Sequence, residues 1–524
     1  MEKVIKFLQE QISIFPFLKK PGKVFVLKIF KFLDHTRLLG ERERRPHNFE
    51  NTQDYLFIHE IYSAKKHIYV ETVSFIVFIG LLFIGFVYSL SVLLGTSVFI
   101  IISGLIALFY FILMIFKVWI VYQSISAPLI DFSKKEIETI KDEELPVYTI
   151  LVPLYREEKV IDQIIKAMTA IDYPKEKLDI IITLEEYDHQ TISAIKEANP
   201  PSYFKTLILP NVSPKTKPKA LNVAFLKTKG EFLVIYDAEI IPEPDQLKKA
   251  YLAFQKYPEI GCFQTRLDHY NADQNIITKI FNAEFSFYYD LFLPGLQKFN
   301  YPIPLSGHST HFRKEVLEKI GAWDPYNVTE DCDVGIRLHR MSYRTGIINS
   351  ISQEEAVSNL KVWIRQRTRW MKGFIQTSIV HLRYPFHFKD EIGGWKNFFV
   401  FLFIVPGTVV INILNFIYWI ILILWLTTHA KIIQVFFPGF ILYISVISFL
   451  IGNFIFTYLN LLGAYKRGRY NLIKYSLLSP FYWILLAIAT VRAAIHIITK
   501  PHLWEKTTHG EHLKKGRHLL FKHD

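Results

Sequence analysis

Cysteine is scarce in this 524-residue chain, which has only Cys262 and Cys332. Two cysteines so far apart exclude a small secreted module held together by disulfides, and they indicate thiols that stay reduced. Charged residues make up only 21% of the chain, whereas aromatic residues make up 15%. This mixture excludes an intrinsically disordered chain, which would be poor in aromatic residues.

Acidic residues are fewer than basic ones, 48 against 61, which gives a formal net charge of +13. The basic residues cluster beside long apolar runs, and the mean hydropathy of +0.20 is high for a soluble protein. Such a pattern suits the cytoplasmic face of a lipid bilayer better than a nucleic-acid partner. We therefore expect a membrane protein with a large soluble part and no role in nucleic-acid binding.

Five apolar runs are long enough to cross about 30 Å of hydrocarbon at about 1.5 Å per helical residue. They are Thr72–Leu94, Phe99–Val121, Phe398–Trp425, Phe440–Leu462 and Tyr475–Ile498. The short turn at Gly95 predicts that the first two form a hairpin. The chain then divides into an N-terminal cytoplasmic or interfacial segment (1–70), a transmembrane hairpin (71–122), a soluble domain (124–397), a C-terminal membrane region of three or four segments (398–498) and a basic tail (499–524).

The distribution of lysine and arginine predicts the orientation of these segments. Basic residues before the hairpin, such as Arg44 and Lys65, place the N-terminal segment and the soluble domain in the cytoplasm. The loop around Lys466 and the basic tail both favour the cytoplasm too, although only one apolar run separates them. Either one late segment is re-entrant or interfacial, or the tail breaks the rule.

The soluble block alternates strand and helix patterns, which favours a parallel doubly wound α/β sheet. The predicted strands are Val147–Val152, Leu178–Leu184, Thr206–Leu209 and Phe232–Tyr236. Ligands of such sheets bind at the carboxyl ends of the strands. Polar side chains that follow the strands are therefore the first candidates for a functional site.

Five polar clusters are the candidates in this block. They are Glu185-Glu186-Tyr-Asp188, the segment from Lys217 to Asn222, Asp237-Ala-Glu239, Thr329-Glu330-Asp331 and Gln366-x-x-Arg369-Trp370. Each cluster alone has a structural interpretation, because acids commonly cap helices and Trp with Arg commonly flanks a membrane. Their order along the chain, between apolar runs, makes the combination specific.

From about Pro146 to Gly373 these clusters resemble the family 2 processive glycosyltransferases, the membrane-bound synthases related to cellulose, chitin and hyaluronan synthases. The T-E-D and Q-x-x-R-W motifs match in full. The acids after the second strand depart from the family's paired aspartates, and Glu239 replaces the last Asp of a D-x-D motif. The resemblance implies a GT-A-type (Rossmann-like) cytoplasmic domain inserted between transmembrane helices.

The resemblance also implies a role for each motif. Asp331 would be the catalytic base, with Thr329 and Glu330 shaping the site, and Gln366, Arg369 and Trp370 would bind the diphosphate and the acceptor. Glu186, Asp188, Lys217 and Asp237 would bind the nucleotide-sugar. Asp237 and Glu239 would supply carboxylates to Mg²⁺ or Mn²⁺, a hard cation that typically takes one or two carboxylates plus phosphate oxygens.

The implied function is inverting transfer from a nucleotide-sugar, UDP-glucose or UDP-N-acetylglucosamine first, to a growing β-linked polysaccharide. A homo-oligomer or a partner subunit is expected, because about five spans are few for a polymer channel. One alternative is a single transfer to a polyprenyl phosphate or another lipid acceptor. A channel or transporter and a non-catalytic nucleotide-sugar binder are less favoured, because both motifs are intact and only Arg492 and His496 lie in a late run.

Overall fold

The computed structural model describes residues 62–65, 70–95, 97–127, 129–383, 394–429 and 431–506. The predicted N-terminal segment, apart from residues 62–65, and the basic tail beyond residue 506 lie outside this part of the chain. The described residues form a mixed α/β domain between two groups of apolar helices.

The first group is a pair of helices, α1 (Val70–Leu94) and α2 (Val98–Ser124), and the predicted turn at Gly95 lies between them. The Ser97 hydroxyl accepts a hydrogen bond from the Phe99 backbone N–H at 3.3 Å and so caps α2. A serine at this position satisfies one of the free donors of the first helical turn.

An eight-stranded sheet forms the centre of the domain, with the order β3-β2-β1-β4-β7-β6-β8-β5. The strands are β1 (Tyr148–Leu154), β2 (Leu178–Glu185), β3 (Phe204–Leu209), β4 (Phe232–Ile235), β5 (Ile241–Pro242), β6 (Ile260–His269), β7 (Thr310–Arg313) and β8 (Arg344–Glu354). The four predicted strands correspond to β1 to β4, which are parallel to one another.

The second half of the sheet departs from the parallel arrangement that the sequence pattern suggests. Strand β7 is antiparallel to both β4 and β6, and β5 is antiparallel to β8. Strand β7 has only four residues and β5 only two, too few to give a periodic signal in the sequence. The sheet is therefore mixed, and its first four strands alone have the doubly wound pattern.

Helices cover the sheet and extend from it toward the apolar groups. They are α3 (Lys134–Glu138), α4 (Ile161–Thr169), α5 (His189–Ala198), α6 (Lys217–Phe225), α7 (Gln246–Lys256), α8 (Ile276–Phe287), α9 (Leu293–Lys298), α10 (Lys314–Lys319), α11 (Glu330–Arg340) and α12 (Leu360–Leu382). In α4, Ile161, Ile164 and Met168 are buried, and their spacing of three, four and seven residues is the one that places apolar residues on one face of a helix.

The second apolar group follows α12. It comprises α13 (Gly394–Ile404), α14 (Pro406–Thr428), α15 (Lys431–Phe436), α16 (Phe440–Val446), α17 (Gly452–Lys466), α18 (Ile473–Ser476) and α19 (Ser479–Thr499). Four candidate membrane spans meet the criteria of length and hydropathy among the described residues: Val98–Ser124, Gly394–Thr428, Phe440–Lys466 and Ser479–Thr499. The predicted run Phe398–Trp425 is divided between α13 and α14 at Pro406, where a proline removes a backbone donor and permits a bend.

Charged side chains connect the α/β domain to the loop after α17. Arg467 forms a two-pronged contact with Asp290, with N–O distances of 2.7 and 2.8 Å, and Arg469 pairs with Asp268 at 2.5 Å. Asp290 belongs to a π-helical turn, Tyr288–Phe292, between α8 and α9. The loop that contains these arginines therefore lies against the α/β domain.

The chain after α19 also returns to the α/β domain. The imidazole Nδ1 of His502 lies 3.1 Å from the Tyr326 carbonyl oxygen, and Lys506 Nζ lies 2.9 Å from Glu157 Oε1. Residues on both sides of α19, a helix of 21 residues, therefore contact the α/β domain.

Candidate active site

The turn after β4 carries Asp237 and Glu239, as the sequence predicts. Asp237 Oδ1 lies 2.5 Å from the Nζ of Lys217, the first residue of α6. The same ammonium group donates to the Gly307 carbonyl oxygen at 3.0 Å. Lys217 therefore connects the end of a central strand to the loop before β7.

The T-E-D motif forms the start of α11, with Thr329 at the N-cap position. Acidic residues in a first helical turn interact favourably with the positive end of the helix dipole. A Cβ at Gly307 would lie 2.1 Å from Asp331 Oδ2, and Gly307 has a φ of +79°. Both the backbone conformation and the close approach of Asp331 thus require glycine at this position.

Helix α12 carries the Q-x-x-R-W motif and packs closely against the T-E-D motif. A Cβ at Gly373 would lie 1.8 Å from Thr329 Oγ1, so only a glycine allows this approach. Arg369 Nη1 lies 3.4 Å from the Val328 carbonyl oxygen, directly before the T-E-D motif. The two motifs, separate in sequence, therefore form one surface.

A cavity of about 380 Å³ joins these elements. Nine of the eleven predicted site residues line it, namely Lys217, Asp237, Glu239, Thr329, Glu330, Asp331, Gln366, Arg369 and Trp370. Glu186 and Asp188 do not line it. The cavity continues past Trp370 to side chains on the apolar helices α2, α14, α17 and α19.

Burial and neighbouring charges determine the electrostatics of the site. Burial raises the pKa of the Asp331 carboxyl, while the nearby cations Lys217 and Arg369 act in the opposite direction. Burial, together with the adjacent Asp331, raises the pKa of Glu330 more strongly. The site therefore holds one carboxyl that ionises near neutral pH beside one that favours the protonated form.

The lysine in the site remains charged. Burial alone would lower the pKa of Lys217, but Asp237 and Asp331 raise it above its usual value. Burial raises the pKa of Glu239, and the neighbouring Asp237 adds to the effect. The Lys217 ammonium group thus balances part of a dense group of carboxylates.

Several buried polar atoms at the site have no hydrogen-bond partner among the described residues. They include Thr329 Oγ1, both carboxyl oxygens of Glu330, Gln366 Oε1 and Arg369 Nε. Buried polar groups are nearly always hydrogen-bonded in folded proteins, so unpaired ones that line a cavity favour a polar ligand there.

The predicted nucleotide-binding acids lie elsewhere. Glu186 is exposed, and its Oε2 accepts a hydrogen bond from the Asn211 N–H at 3.3 Å. Asp188 caps α5 and accepts the Arg156 N–H at 2.5 Å, in the loop after β1. Glu185, the last residue of β2, pairs with Lys219 at 3.1 Å.

Residues that the sequence did not single out as site residues also line the cavity. Trp504 lies with its ring 4.8 Å from the Arg369 guanidinium carbon, and Glu354 ends β8. Four asparagines of the apolar helices line the membrane end: Asn412, Asn415, Asn453 and Asn460. Isolated amides in long apolar runs are a signal that sequence analysis can use, because polar side chains are costly in lipid.

His308 lies in the cavity wall, with Nε2 2.8 Å from the Tyr289 hydroxyl oxygen. Burial lowers its pKa to about 4, so the imidazole is neutral near pH 7. This contact joins the loop before β7 to the π-helical turn Tyr288–Phe292.

A family model described as "Glycosyltransferase like family 2" matches residues 146–373. These are the residues that hold the sheet, the T-E-D motif and the Q-x-x-R-W motif. The match identifies residues 146–373 as the part of the chain that is similar to family 2 glycosyltransferases. The protein is thus a nucleotide-sugar-dependent glycosyltransferase with a GT-A-like fold, flanked by apolar helices.

A curated relative agrees with this assignment. This chain is 28% identical over 285 residues to the probable glycosyltransferase YdaM of Bacillus subtilis (strain 168), and the match covers 52% of this chain and 68% of the relative.

Two solved structures are similar at low identity. The mannosyltransferase PcManGT from Pyrobaculum calidifontis, in complex with GDP-Man and Mn²⁺, is 17% identical, with a TM-score of 0.43, and 76% of this chain and 99% of that chain are covered. Glucosyl-3-phosphoglycerate synthase from Mycobacterium tuberculosis, in complex with Mn²⁺, UDP and phosphoglyceric acid, is 15% identical, with a TM-score of 0.33. The match covers 48% of this chain and 87% of that chain.

Proposed function

We propose that this glycosyltransferase adds sugars from UDP-glucose or UDP-N-acetylglucosamine to a growing β-linked polysaccharide at the cytoplasmic membrane. The observation that carries the proposal is the continuity of the cavity, which begins at Asp331 and Trp370 and ends among the asparagines of the apolar helices. Polar groups among apolar helices must find their hydrogen-bond partners inside the protein, so a polar cavity in this region is costly. A transferase with a small soluble acceptor would not need such a cavity.

Asp331 is the proposed general base. The acceptor hydroxyl loses its proton to the Asp331 carboxylate as its oxygen attacks the anomeric carbon, and the bond from that carbon to the diphosphate breaks. Attack from the face opposite the leaving group inverts the configuration, so an α-linked donor gives a β-linked product. The raised pKa of Asp331 suits a base that works near neutral pH.

Lys217 and Arg369 are the proposed contacts of the leaving diphosphate. Both line the cavity beside Asp331, and their positive charge favours the negative charge that develops on the leaving group. Arg369 offers a planar fork of donors for phosphate oxygens, and its Nε has no partner among the described residues.

Asp237 and Glu239 are the proposed carboxylates for Mg²⁺ or Mn²⁺. The described part of the chain has no cluster of three His, Cys, Asp or Glu side chains that would hold a metal alone. Two carboxylates on one turn fit a hard cation that takes its other ligands from diphosphate and water. When bound, such a cation would neutralise charge on the diphosphate.

Trp370 is the proposed stacking surface for the acceptor sugar. Its ring lies near those of Phe281 and Phe285, at 6.1 and 6.0 Å between centroids, and the Arg367 guanidinium carbon lies 4.5 Å from it. This packing holds the indole in place, and an aromatic face suits the C–H face of a sugar ring. Gln366, on the same side of α12, contributes a free carbonyl oxygen for a sugar hydroxyl.

Glu186 and Asp188 remain the proposed contacts of the uridine. Asp188 holds the loop after β1 through the Arg156 N–H, so it would act by positioning that loop beside the nucleotide. The basic loop at Lys466, Arg467 and Arg469 supports a cytoplasmic location of the glycosyltransferase domain. We further propose a homo-oligomer or a partner subunit, because the described spans are few for a polymer passage.

Release of nucleoside diphosphate from a panel of labelled nucleotide-sugars by the purified protein in liposomes tests the donor. We expect a UDP-sugar, with glucose or N-acetylglucosamine, to give the highest rate. Release from none of the sugars tested would contradict the proposal, and the nature of the labelled product distinguishes a polymer from a single sugar on a lipid phosphate.

A further inference from the structure

Lys117 is a basic residue within an apolar helix, α2, that the predicted hairpin places in the membrane. It lines the same cavity as Asp331 and Trp370. Its Nζ lies 5.6 Å from the centroid of the Phe456 ring of α17, which also lines the cavity. The ammonium group is therefore part of the wall of the cavity at its membrane end.

The other cations of the cavity have acidic neighbours. Lys217 pairs with Asp237, Arg367 pairs with Glu284, and Arg369 interacts electrostatically with the nearby Glu330 and Asp331. The carboxylates of the cavity are Asp237, Glu239, Glu284, Glu330, Asp331 and Glu354, all of which belong to the glycosyltransferase domain. Among the described residues, no carboxylate lies within ion-pair distance of Lys117.

The polar side chains of the membrane end satisfy one another instead of Lys117. The Tyr110 hydroxyl donates to Asn415 Oδ1 at 2.9 Å, and Asn453 Nδ2 donates to the same oxygen at 2.9 Å. Asn460 Nδ2 donates to the Ser479 hydroxyl at 3.1 Å. The described part of the chain thus supplies no hydrogen-bond acceptor to the Lys117 ammonium.

An unpaired ammonium group in a low-dielectric region is unfavourable unless an anion compensates it. A lysine at a membrane surface can reach the lipid headgroups, but Lys117 faces a cavity that is shared with the catalytic residues. The compensating anion would therefore come from the molecule that occupies this cavity.

We propose that Lys117 binds an anionic group, a phosphate or a carboxylate, that is carried by the acceptor. The inference rests on the proposed function, in which the acceptor occupies the membrane end of the cavity. A phosphate would come from a lipid-linked acceptor, and a carboxylate would come from an acidic sugar in the chain. A neutral polysaccharide alone would leave the ammonium group without a counter-ion.

Binding of three probes with the same alkyl chain tests this site without any donor sugar. Dodecyl phosphate, dodecyl glucuronide and the neutral dodecyl glucoside are titrated into the protein in phosphatidylcholine nanodiscs, and tryptophan fluorescence is recorded. Trp370, Trp483 and Trp504 line the cavity and report its occupation.

We expect Lys117→Met to weaken binding of at least one anionic probe by about tenfold or more, since hydrogen bonds to charged groups are among the stronger ones. Binding of dodecyl glucoside should be unchanged, and Lys117→Arg should restore the anionic probe. The probe that loses more affinity identifies the source of the anion, a lipid phosphate or an acidic sugar.

Lys396→Met is the matched control, because Lys396 also lies over an aromatic ring, that of Tyr301 at 4.9 Å, but does not line the cavity. Either of two results would overturn the proposal. One is equal affinity of wild type and Lys117→Met for both anionic probes, and the other is a wild type that binds neither anionic probe more tightly than dodecyl glucoside. Because no donor is present, this outcome is distinct from a failure of nucleotide-sugar turnover.

Discussion

Asp331 lies between charges of both signs, and this environment determines how it can act. Its carboxylate approaches the backbone at Gly307, while Lys217 and Arg369 lower its pKa and burial raises it. The neighbouring Glu330 has both carboxyl oxygens unpaired and a more strongly raised pKa, so it favours the protonated form. Of the two acids, Asp331 is the one that is ionised near neutral pH and can take a proton.

Replacing Asp331, the proposed base, should abolish transfer without abolishing donor binding. We expect Asp331→Asn to lower kcat by about 10²- to 10⁴-fold, which is the usual contribution of a general base. UDP affinity, measured by calorimetry, should change little, because the diphosphate contacts remain. The exposed Glu315→Gln variant is the control, and near-normal turnover by Asp331→Asn would remove this residue from the role.

The pH dependence of turnover offers a second test of the same residue. Burial raises the pKa of Asp331 to about 6, and a base works only in its ionised form. Activity should therefore be full above this value and should fall as the pH is lowered through it. A kcat that is constant from about pH 5 to pH 8 would exclude a base with this pKa.

Chelation tests the two carboxylates on the turn after β4. We expect EDTA to abolish activity and Mg²⁺ or Mn²⁺ to restore it, because Asp237 and Glu239 are oxygen ligands suited to such cations. Asp237→Ala should lose activity that added metal does not restore, whereas wild type treated in parallel recovers. Full activity in chelator would show that this motif recruits no metal.

The sequence predicted most of the site at the scale of residues, because the T-E-D and Q-x-x-R-W motifs are complete and specific. Nine of the predicted residues line one cavity, although they come from β-turns and helices far apart in the chain. Glu186 and Asp188 do not line this cavity. A position directly after a strand places a residue at the edge of the sheet, but it does not determine the direction of the side chain. Asp188 is occupied with capping α5, a role that acids after strands often have.

At the scale of elements, the contact between α12 and the start of α11 assembles the site. Gly373→Ala would place a methyl group in the space that Thr329 occupies. A shift of α12 to relieve this clash would also move Arg369 and Trp370, which belong to the same helix. We expect a stability loss of about 1–3 kcal/mol, as for overpacked cores, and a clear fall in kcat. Thermal unfolding and turnover are the measurements.

Gly85→Ala in α1 is the control for that substitution, because a Cβ there meets no atom within 4 Å. It should leave both stability and turnover close to those of wild type. Wild-type turnover in Gly373→Ala would show that the close approach of the two motifs is not required.

The shortest of the elements that the sequence analysis missed gave weak signals. Strand β7 is short and contains His311 and Arg313, so its composition is not typical of a buried strand. The asparagines of α14 and α17 are single polar residues in long apolar runs, and sequence alone does not show that their faces meet. The structure shows that Asn415 and Asn453 bond to each other across the two helices.

At the scale of the whole molecule, the position of α19 affects the orientation predicted from the basic residues. The loop around Lys466 and the basic tail both favour the cytoplasm, although only one apolar run separates them. Arg469 before this helix and His502 after it both contact the glycosyltransferase domain. If α19 lies at the membrane interface, the basic loop and the residues after α19 can both face the cytoplasm. This agrees with the interfacial alternative for one of the late apolar runs.

Cysteine labelling in sealed vesicles of known orientation tests this arrangement. We expect Thr499→Cys to react with an impermeant maleimide from the side of the glycosyltransferase domain, and Thr427→Cys at the end of α14 to react from the opposite side. The native Cys262 and Cys332 are buried and provide a low background. Labelling of both positions from the same side would contradict the proposed orientation.

The central claim is that the cavity from Asp331 to the apolar helices holds a growing chain. The most direct measurement incubates the protein in liposomes with labelled UDP-sugar and determines the size of the product after protease and detergent treatment. We expect a β-linked polymer from wild type. Trp370→Ala should give products that are shorter or absent while its UDP affinity stays nearly normal, because the indole is the proposed stacking surface of the acceptor. A product limited to mono- or disaccharides, or to a single sugar on a lipid, would contradict it.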